Sequence, residues 1–391
     1  MYQQRVVIVG AGIVGLSTAY ALLKRGVREV IVLEQESVDH VRSTSRGPSR
    51  LLRFEYGSDA LYARMVQMSL QRWRHLERMT KHILYTQTGL LLLGTEDDNY
   101  TLPSHHLLRG MGQPSERLSE QRCRQRFPQF ATHNYDVLAY NSEAGILHAS
   151  TCLRALKSLI LDLGGEVCEF CRVSRLISDA QAQPVRIHLD SGGEVLGDRV
   201  VLATGPWIQR LLGDERLPVH MTRQHLLYFA GLSPTSFGMD TFPAFIAHDL
   251  YGFPLQRAGN GGGQMWLKAA SHSFGSRIEP DDISAPDEHI VAQVARRLRE
   301  LVPALRWAEL AHVDSCMYDV TPDQDFILDR LPSDPRIVFA TGLTGHGFKF
   351  GPLLGELLSS LVCDTQPVVP LERFQLARFA HNWVHQGSSV A

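Results

Sequence analysis

The sequence contains no long apolar run and no excess of charge of either sign. Nowhere do 18 or more apolar residues follow one another, so no membrane span is predicted. The 391 residues carry a formal net charge of −2, which excludes a broad electrostatic attraction to nucleic acid or to an anionic membrane. The apolar start is interrupted by three glycines and has no small-residue cleavage site, which argues against a signal peptide. The expected partners are small molecules, and we expect a monomer.

Cysteine is also sparse. The six cysteines are scattered, which is typical of reduced thiols in a cytoplasmic enzyme and not of a disulfide framework. Cys168 and Cys171 form a C-x-x-C, but in a strand-like run, where residues three apart point to opposite faces. Neither a helix start nor further ligands at zinc spacing accompany the pair. We therefore interpret it as structural and predict no metal site.

What the chain does have is a dinucleotide fingerprint at its start. A buried-strand pattern, Val6 to Val9, leads into G-x-G-x-x-G at Gly10-Ala11-Gly12-Ile13-Val14-Gly15, and a helical pattern follows. The glycines permit a tight turn, close approach of a pyrophosphate and helix–strand packing. Glu34 ends the next strand about 20 residues further on, where it can bind a ribose hydroxyl. The pattern predicts a Rossmann-like domain, for FAD or NAD.

Two later segments favour a flavin. Residues 198–207 predict a buried strand that ends at Ala203-Thr204-Gly205 and faces the same nucleotide. Residues 336–361 predict a strand, a glycine-rich turn and an apolar helix that begins near Phe350. A helix N-terminus and the Lys349 ammonium there would stabilise negative charge on a reduced flavin. A nicotinamide enzyme has no need of this C-terminal return to the first domain.

These and further motifs together resemble a known family. The chain is similar to the sarcosine oxidase-like flavoprotein amine oxidases of the D-amino-acid oxidase superfamily, which includes sarcosine, N-methyltryptophan and pipecolate oxidases. The motifs that carry the resemblance are SRGPSRLLRFEYG, TGLLLLG, ATGPW, YGFP, LKAASHSFG, SCMYDVTPDQDFILDR and GLTGHGFKFGP. They are spread over nearly the whole chain. The Cys-Met-Tyr and Gly-His-Gly-Phe-Lys runs are the most specific.

The resemblance implies an α/β FAD-binding domain and a second, α+β substrate domain with a mixed sheet. We assign 1–85, 150–215 and 321–391 to the first domain and 86–149 and 216–320 to the second. Residues 60–79 and 289–305 predict amphipathic helices within this scheme.

The resemblance also implies how FAD is held. Cys316 is at the position that carries the flavin through a thioether, and a buried free thiol is the alternative interpretation. Arg50 matches an arginine beside the flavin ring, and Arg46 could supplement it. The other positions assigned to cofactor binding are Ser45, Val173, Ala203, Gly205, Trp207, Gly342, Gly345, His346, Gly347 and Lys349.

For the substrate, the resemblance implies a carboxylate clamp of Arg53 and Lys349, since a planar guanidinium and an ammonium both suit a carboxylate. Lys268 matches the lysine that promotes reaction with oxygen. His272 matches a residue near the substrate amine, and Tyr251 and Tyr318 match aromatic walls of the pocket.

The sequence departs from the family pattern at Arg46 and at Pro48-Ser49, where histidine and Asp-Thr are usual. The segment with Gly261-Gly262-Gly263 is longer than in members with the smallest substrates and predicts a lid or an exposed hairpin. The leading hypothesis is an oxidase of secondary α-amino acids that transfers a hydride equivalent to the flavin and reduces O2 to H2O2. The alternatives are a dehydrogenase with another electron acceptor and a non-catalytic flavin-binding subunit.

Overall fold

The computed structural model describes residues 4–178, 184–212, 217–257, 263–282 and 284–379. The α-helices in these ranges are α1 (Ile13–Lys24), α2 (Ala60–Thr80), α3 (Thr101–Gly110), α4 (Glu120–Arg126), α5 (Ala149–Asp162), α6 (Pro234–Phe237), α7 (Glu288–Leu301) and α8 (Gly351–Val362). The strands are β1 (Arg5–Val9), β2 (Glu29–Leu33), β3 (Arg50–Leu52), β4 (Tyr85–Thr86), β5 (Leu90–Gly94), β6 (Ser115–Leu118), β7 (Val137–Asn141), β8 (Gly145–Leu147), β9 (Glu166–Cys168), β10 (Val173–Ile177), β11 (Val185–Leu189), β12 (Glu194–Gly197), β13 (Arg199–Leu202), β14 (His220–Ala230), β15 (Ala244–Ala247), β16 (Leu250–Arg257), β17 (Met265–Ser271), β18 (Arg277–Ile278), β19 (Glu309–Val320), β20 (Ile327–Arg330) and β21 (Ile337–Thr341). Short 3-10 helices cover Gly205–Leu211, Pro303–Arg306, Phe348–Phe350, Glu372–Phe374 and Leu376–Phe379.

The nucleotide-binding half is built on a six-stranded sheet in the order β20-β21-β13-β1-β2-β9. Its strands are parallel except β20, which runs antiparallel to β21. Residues Val6 to Val9 of β1 are buried, as expected for a parallel strand covered on both faces. The predicted Rossmann-like arrangement is confirmed.

The C-terminal helix α8 returns to pack against α1, as the sequence predicted. Two glycines permit this close approach. A Cβ at Gly355 would lie 2.3 Å from the carbonyl carbon of Ser17, and one at Gly351 would lie 2.4 Å from Cγ1 of Ile13. The turn that precedes α8 is thereby held beside the start of α1.

The second large sheet has nine strands and is mixed, as predicted. Its order is β18-β14-β17-β16-β15-β5-β7-β6, and β19 pairs with β14 in addition. The β15–β5 pair is parallel, whereas β14 and β19 run antiparallel along nearly their whole length. Two three-stranded sheets, β10-β11-β12 and β3-β8-β4, complete the described part of the fold.

The two predicted amphipathic helices are confirmed as α2 and α7. The carboxylate of Asp59 caps α2 and that of Asp287 caps α7, each accepting two backbone N–H bonds.

The domain boundaries stay a prediction. Gly261 and Gly262 of the proposed lid lie outside the described residues. No helix within the described ranges is long and apolar enough to cross a membrane.

Candidate active site

The glycine turn between β1 and α1 forms the floor of a first cavity. Gly10 has φ +104°, and a Cβ there would lie 2.5 Å from the carbonyl oxygen of Ala203, so only glycine fits. α1 begins at Ile13 after Gly12, which caps it without a side chain. Ser45 Oγ accepts a hydrogen bond of 3.0 Å from the Ile13 N–H. The start of α1 lines the first cavity, where its backbone N–H groups and helix dipole suit a phosphate.

Glu34 lies at the end of β2 beside this turn and is 6% exposed. Its carboxylate accepts hydrogen bonds from the backbone N–H groups of Ala11 (2.7 Å) and Glu36 (3.1 Å). His40 Nε2 lies 3.7 Å from it, and burial lowers the pKa of this histidine. The other predicted cofactor residues that line the first cavity are Val14, Val173, Ala203, Gly205 and Trp207.

Two buried polar atoms in the first cavity have no hydrogen-bond partner among the described residues. They are Oγ1 of Thr204 and Nδ1 of His40. Buried polar groups are rarely left unpaired, because the desolvation cost is then not recovered. Both atoms are therefore available to a polar ligand such as a nucleotide.

A second cavity adjoins the first. Both are lined by Ile13, Thr44, Ser45, Asp319 and Leu343. The predicted site residues that line the second cavity are Arg50, Arg53, Tyr251, Lys268, His272, Cys316, Tyr318, Gly345, His346, Gly347 and Lys349. The structure therefore brings together residues from β3, β16, β17, β19 and the turn before α8.

Arg50 and Lys268 meet at one backbone carbonyl. The oxygen of Ser49 accepts from Arg50 Nη1 at 2.8 Å and from Lys268 Nζ at 3.2 Å. The ammonium of Lys268 also lies 5.2 Å from the ring centroid of Phe253. Lys268 is 3% exposed, and burial together with the charge of Arg50 lowers its pKa to about 7. This lysine can therefore change charge near neutral pH.

Cys316 lies near this cationic pair. It stands on β19 opposite Gln224 of β14, and its side chain is half-buried and lines the second cavity. The thiol lies 3.7 Å from the carbonyl oxygen of Met317. Lys268 and Arg50 line the same cavity as this thiol.

Arg53 and Lys349 form a second group of cations, around Tyr56. The Arg53 guanidinium lies 4.3 Å from the Tyr56 ring centroid and 5.6 Å from that of Tyr100. Lys349 Nζ lies 5.2 Å from the Tyr56 ring and donates to the carbonyl oxygen of His346 at 2.9 Å. Burial, and then the charge of Arg53, hold the pKa of Lys349 well below its usual value. Two cations thus face one end of the cavity.

His272 lies between these groups and two tyrosines. Its ring centroid is 5.5 Å from that of Tyr318 and 6.4 Å from that of Tyr251. Burial, and then the charges of Arg53 and Lys349, lower the pKa of His272 to about 4. At neutral pH the imidazole is uncharged and can accept a hydrogen bond.

Asp249 fixes the chain that carries His272. Its backbone oxygen accepts from the His272 N–H at 2.6 Å. Its carboxylate is paired with Arg297 of α7 and accepts from Ser271 (2.6 Å) and Ser273 (2.9 Å). Burial opposes ionisation, but these hydrogen bonds outweigh it and lower the pKa of Asp249.

The glycine-rich turn before α8 closes the second cavity. Gly345 has φ +71°, and a Cβ there would lie 2.4 Å from the Tyr318 ring. Nδ1 of His346 hydrogen-bonds to the Tyr56 hydroxyl at 3.1 Å. The Phe348–Phe350 3-10 helix leads directly into α8. The turn therefore places backbone N–H groups and Lys349 at the cavity.

Not every predicted residue lines a cavity. Arg46 is exposed, and its carbonyl oxygen accepts a hydrogen bond from Arg50. Gly15 has a packing role, since a Cβ there would lie 1.9 Å from the Gly10 oxygen. Gly342 has φ +65° and faces Thr321.

The strand geometry expected for the C-x-x-C pair, Cys168 and Cys171, is wrong, because β9 ends at Cys168 and a turn follows.

Three residues of the site were missed by the sequence analysis. Tyr100 lines the second cavity and contacts Arg53, although it lies in a polar segment. Glu55 is a buried carboxylate beside the Arg53 loop. Asp319 lines both cavities, and burial raises its pKa to about 6. The one feature of the sequence that could have indicated Asp319 is its position three residues after Cys316.

A nucleotide cavity that joins a cation-lined cavity defines an enzyme with a dinucleotide cofactor. The sequence profile described as "DAO: FAD dependent oxidoreductase" matches residues 5–361. The chain belongs to this family of FAD-dependent oxidoreductases. Among the described residues, no group of three His, Cys, Asp or Glu could hold a metal ion.

The relatives agree with this assignment. Peroxisomal sarcosine oxidase of Mus musculus is 34% identical over 387 residues, covering 96% of each chain. Monomeric sarcosine oxidase of Bacillus sp. (strain B-0618) is 28% identical over 387 residues, covering 95% of each chain. Among solved structures, L-proline dehydrogenase from P. horikoshii has a TM-score of 0.83 at 20% identity, covering 97% of this chain and 98% of that chain. At that identity the structural similarity supports the fold alone.

The residues present fit FAD. Gly10 and Gly12 of the turn line the first cavity, as a pyrophosphate site requires, and Thr204 Oγ1 and His40 Nδ1 are available to a polar ligand. The second cavity continues from the first and is lined by aromatic side chains and cations, as a flat, polar ring system requires.

Proposed function

We propose that this protein is an FAD-dependent oxidase of secondary α-amino acids, with an N-alkyl or ring nitrogen, which releases an imine and H2O2. The observation that carries the proposal is the second cavity. Two basic side chains, the partly buried Arg53 and the buried Lys349, line this cavity together with an uncharged His272, and the cavity adjoins the nucleotide cavity.

In this proposal Arg53 and Lys349 bind the substrate carboxylate. A guanidinium offers paired donors and an ammonium a point charge, so together they orient a carboxylate. The substrate nitrogen then lies toward His272, whose neutral imidazole accepts an N–H bond. Tyr251 and Tyr318 form the aromatic wall on that side. The positive charges of Arg53 and Lys349 disfavour a protonated group at this place, so the uncharged amine, which is the form that gives up a hydride, is favoured.

The cofactor would be held by the glycine turn, Glu34 and Ser45 at one end and by Arg50 and the turn at residues 345–349 at the other. Bound FAD supplies the two-electron oxidation of the amine and the transfer of those electrons to O2. We further propose a thioether between Cys316 Sγ and a methyl carbon of the flavin ring. Forming it would remove the thiol hydrogen and one methyl hydrogen, and the two electrons would reduce the flavin and pass to O2. The support for this thioether is the position of this half-buried thiol in the second cavity, near Lys268.

Lys268 is proposed to promote reaction with O2. A positive charge stabilises the superoxide that forms as oxygen accepts its first electron. Lys268 is buried beside Arg50 and has a pKa of about 7, so it holds a proton when an anion develops nearby. We also propose a cytoplasmic location, because free cysteines are typical of a reducing compartment. A monomer is proposed from the similarity to the relative named monomeric sarcosine oxidase.

An oxygen-consumption screen tests the proposal. The purified holoenzyme would be offered sarcosine, other N-methyl amino acids, proline and pipecolate, each beside its decarboxylated amine. We expect turnover of one or more amino acids with matching H2O2 release, and little turnover of the amines. If the amines react as fast as the amino acids, the clamp is misassigned. If substrate reduces the flavin but no oxygen is consumed, the protein is a dehydrogenase.

A further inference from the structure

Glu55 is a buried carboxylate that the proposed reaction does not use. It lies between β3 and α2 and is 1% exposed. Its two oxygens accept hydrogen bonds from Asn141 Nδ2 at 2.8 Å and from the Phe54 N–H at 2.9 Å. Both partners are donors, as an ionised carboxylate requires. Its charge also interacts with Arg53.

Burying this charge opposes folding. Desolvation is the largest influence on Glu55, and it raises the pKa despite the hydrogen bonds and Arg53. A carboxyl with a raised folded-state pKa contributes stability below its unfolded pKa, and this contribution is lost as pH rises through the folded pKa. An ionised Glu55 is therefore a cost to folding. A neutral residue of the same shape would be more favourable for stability alone.

The clamp supplies a reason for the charge. Arg53 and Lys349 bring two positive charges into one buried region, and each lowers the pKa of nearby basic groups. Glu55 acts in the opposite direction on Lys349, whose pKa it raises. With Glu55 ionised, the clamp has one net positive charge, which a single carboxylate cancels. Uncompensated charge inside a protein is strongly unfavourable.

The Glu55 side chain can influence the clamp without moving it. Arg53 Nη1 and the Tyr100 hydroxyl (3.0 Å) both donate to the backbone oxygen of Glu55, and not to its carboxylate. The guanidinium is also held over the Tyr56 ring. Replacing the carboxylate therefore changes the electrostatic potential and leaves these contacts in place.

We propose that Glu55 is a positioning residue whose ionised side chain balances one charge of the Arg53–Lys349 clamp, so that the site accepts a monocarboxylate and keeps Lys349 protonated. The inference rests on the proposed function, because it takes the clamp as the substrate carboxylate site. Among the described residues, the titratable and charged groups around the clamp and Glu55 include Arg53, Tyr56, Tyr100, His272, His346 and Lys349. The carboxylates of Asp59 and Asp98 act on Tyr56 and Tyr100.

The test is calorimetric binding of cyclopentanecarboxylate and of the neutral cyclopentanecarboxamide to the holoenzyme between pH 6.5 and 9.5. In Glu55→Gln, one negative charge is removed, so carboxylate binding at the acid end should become about tenfold tighter. The pH at which carboxylate affinity falls should move down by about one unit, because Lys349 loses its proton more easily. The carboxamide should bind as in the wild type.

Glu143→Gln is the matched control, since it removes a carboxylate two residues from Asn141 that does not line the cavity. It should leave both ligands unaffected. Glu55→Ala carries the same prediction as Glu55→Gln and replaces it if the glutamine variant folds poorly. Thermal unfolding should show no loss of stability in Glu55→Gln.

The outcomes separate the two proposals. If the wild type binds neither ligand, or binds the carboxamide as well as the carboxylate, the clamp assignment fails. If the wild type prefers the carboxylate and the Glu55 variants leave its affinity and pH dependence unchanged, Glu55 is uncharged and the inference is overturned. Weaker carboxylate binding in both variants would also overturn it, because the side chain would then hold the clamp in shape.

Discussion

Replacing Lys268 with methionine should separate the two halves of the catalytic cycle. Methionine keeps much of the length and apolar character of the side chain and removes the charge. Because that charge matters only when oxygen becomes negative, we expect flavin reoxidation to slow by about two orders of magnitude. Flavin reduction by substrate should change by less than about threefold, because the clamp is unaltered.

The magnitude follows from the environment of the ammonium. A unit charge about 5 Å from a developing anion, at an effective dielectric constant of about 20, contributes about 3 kcal/mol. That is about a hundredfold in rate. The substitution also removes the hydrogen bond from Lys268 to the Ser49 oxygen, which lowers the free energy of unfolding by about 1 kcal/mol. This loss of stability does not affect the rates of flavin reduction and reoxidation.

The sign of the pH dependence follows from the same residue. Burial and Arg50 lower the pKa of Lys268 to about 7, so the charged form is present below that pH and is lost above it. An anion beside the ammonium moves this midpoint upward. Wild-type reoxidation should therefore slow as pH rises above neutrality, and the slope should vanish in Lys268→Met.

Stopped-flow measurement of anaerobic reduction and of reoxidation by oxygen checks both halves. Lys349→Met is the matched control, because it removes the other buried lysine of the same cavity. It should impair substrate binding and spare reoxidation. Equal losses in both halves for Lys268→Met, or unchanged reoxidation, would show that oxygen reacts elsewhere.

Three further outcomes are expected. In a denaturing gel the flavin fluorescence should migrate with the wild-type chain and be lost in Cys316→Ala; complete FAD release from the wild type by acid would contradict the thioether. Lys349→Met should weaken binding of a carboxylate inhibitor by about 2–5 kcal/mol, measured by titration, with less effect if water reaches the pair. Gly355→Ala should destabilise the fold by about 1–3 kcal/mol in urea unfolding, because its Cβ would lie 2.3 Å from the Ser17 backbone.

Local patterns predicted the nucleotide half well. The turn at Gly10 to Gly15 and the acid at Glu34 are within one βαβ unit, so spacing along the chain determines their positions in space. Helices α2 and α7 were likewise predicted from the period of their apolar residues.

The second cavity could not be assembled in this way. Arg53, Lys268 and Lys349 are far apart in the sequence, and pairing within the large sheet and the return of α8 bring them together. The helix-start pattern indicated Lys349 beforehand, whereas Arg53 and Lys268 were named only by the family resemblance. Glu55 was missed because an acid among arginines and aromatic residues suggests a solvated side chain. In the structure the Glu55 carboxylate is buried and accepts a hydrogen bond from Asn141 at the end of β7, which is distant in the sequence.

The two cationic groups of the site differ in how their charge is compensated, and this difference matches their proposed tasks. In the proposed function the substrate carboxylate is a permanent anion, so Arg53 and Lys349 would face a partner in every productive complex, and Glu55 is proposed to balance the remaining charge. The anion beside Lys268 exists only briefly during oxygen reduction. A buried cation that is always charged would be unpaired for most of the cycle, at a cost in free energy. A lysine with a pKa of about 7 avoids this cost, because it can release its proton when no anion is near and hold it when one forms. Arginine, which stays protonated, lacks this property, so lysine at position 268 suits a charge that is needed only transiently.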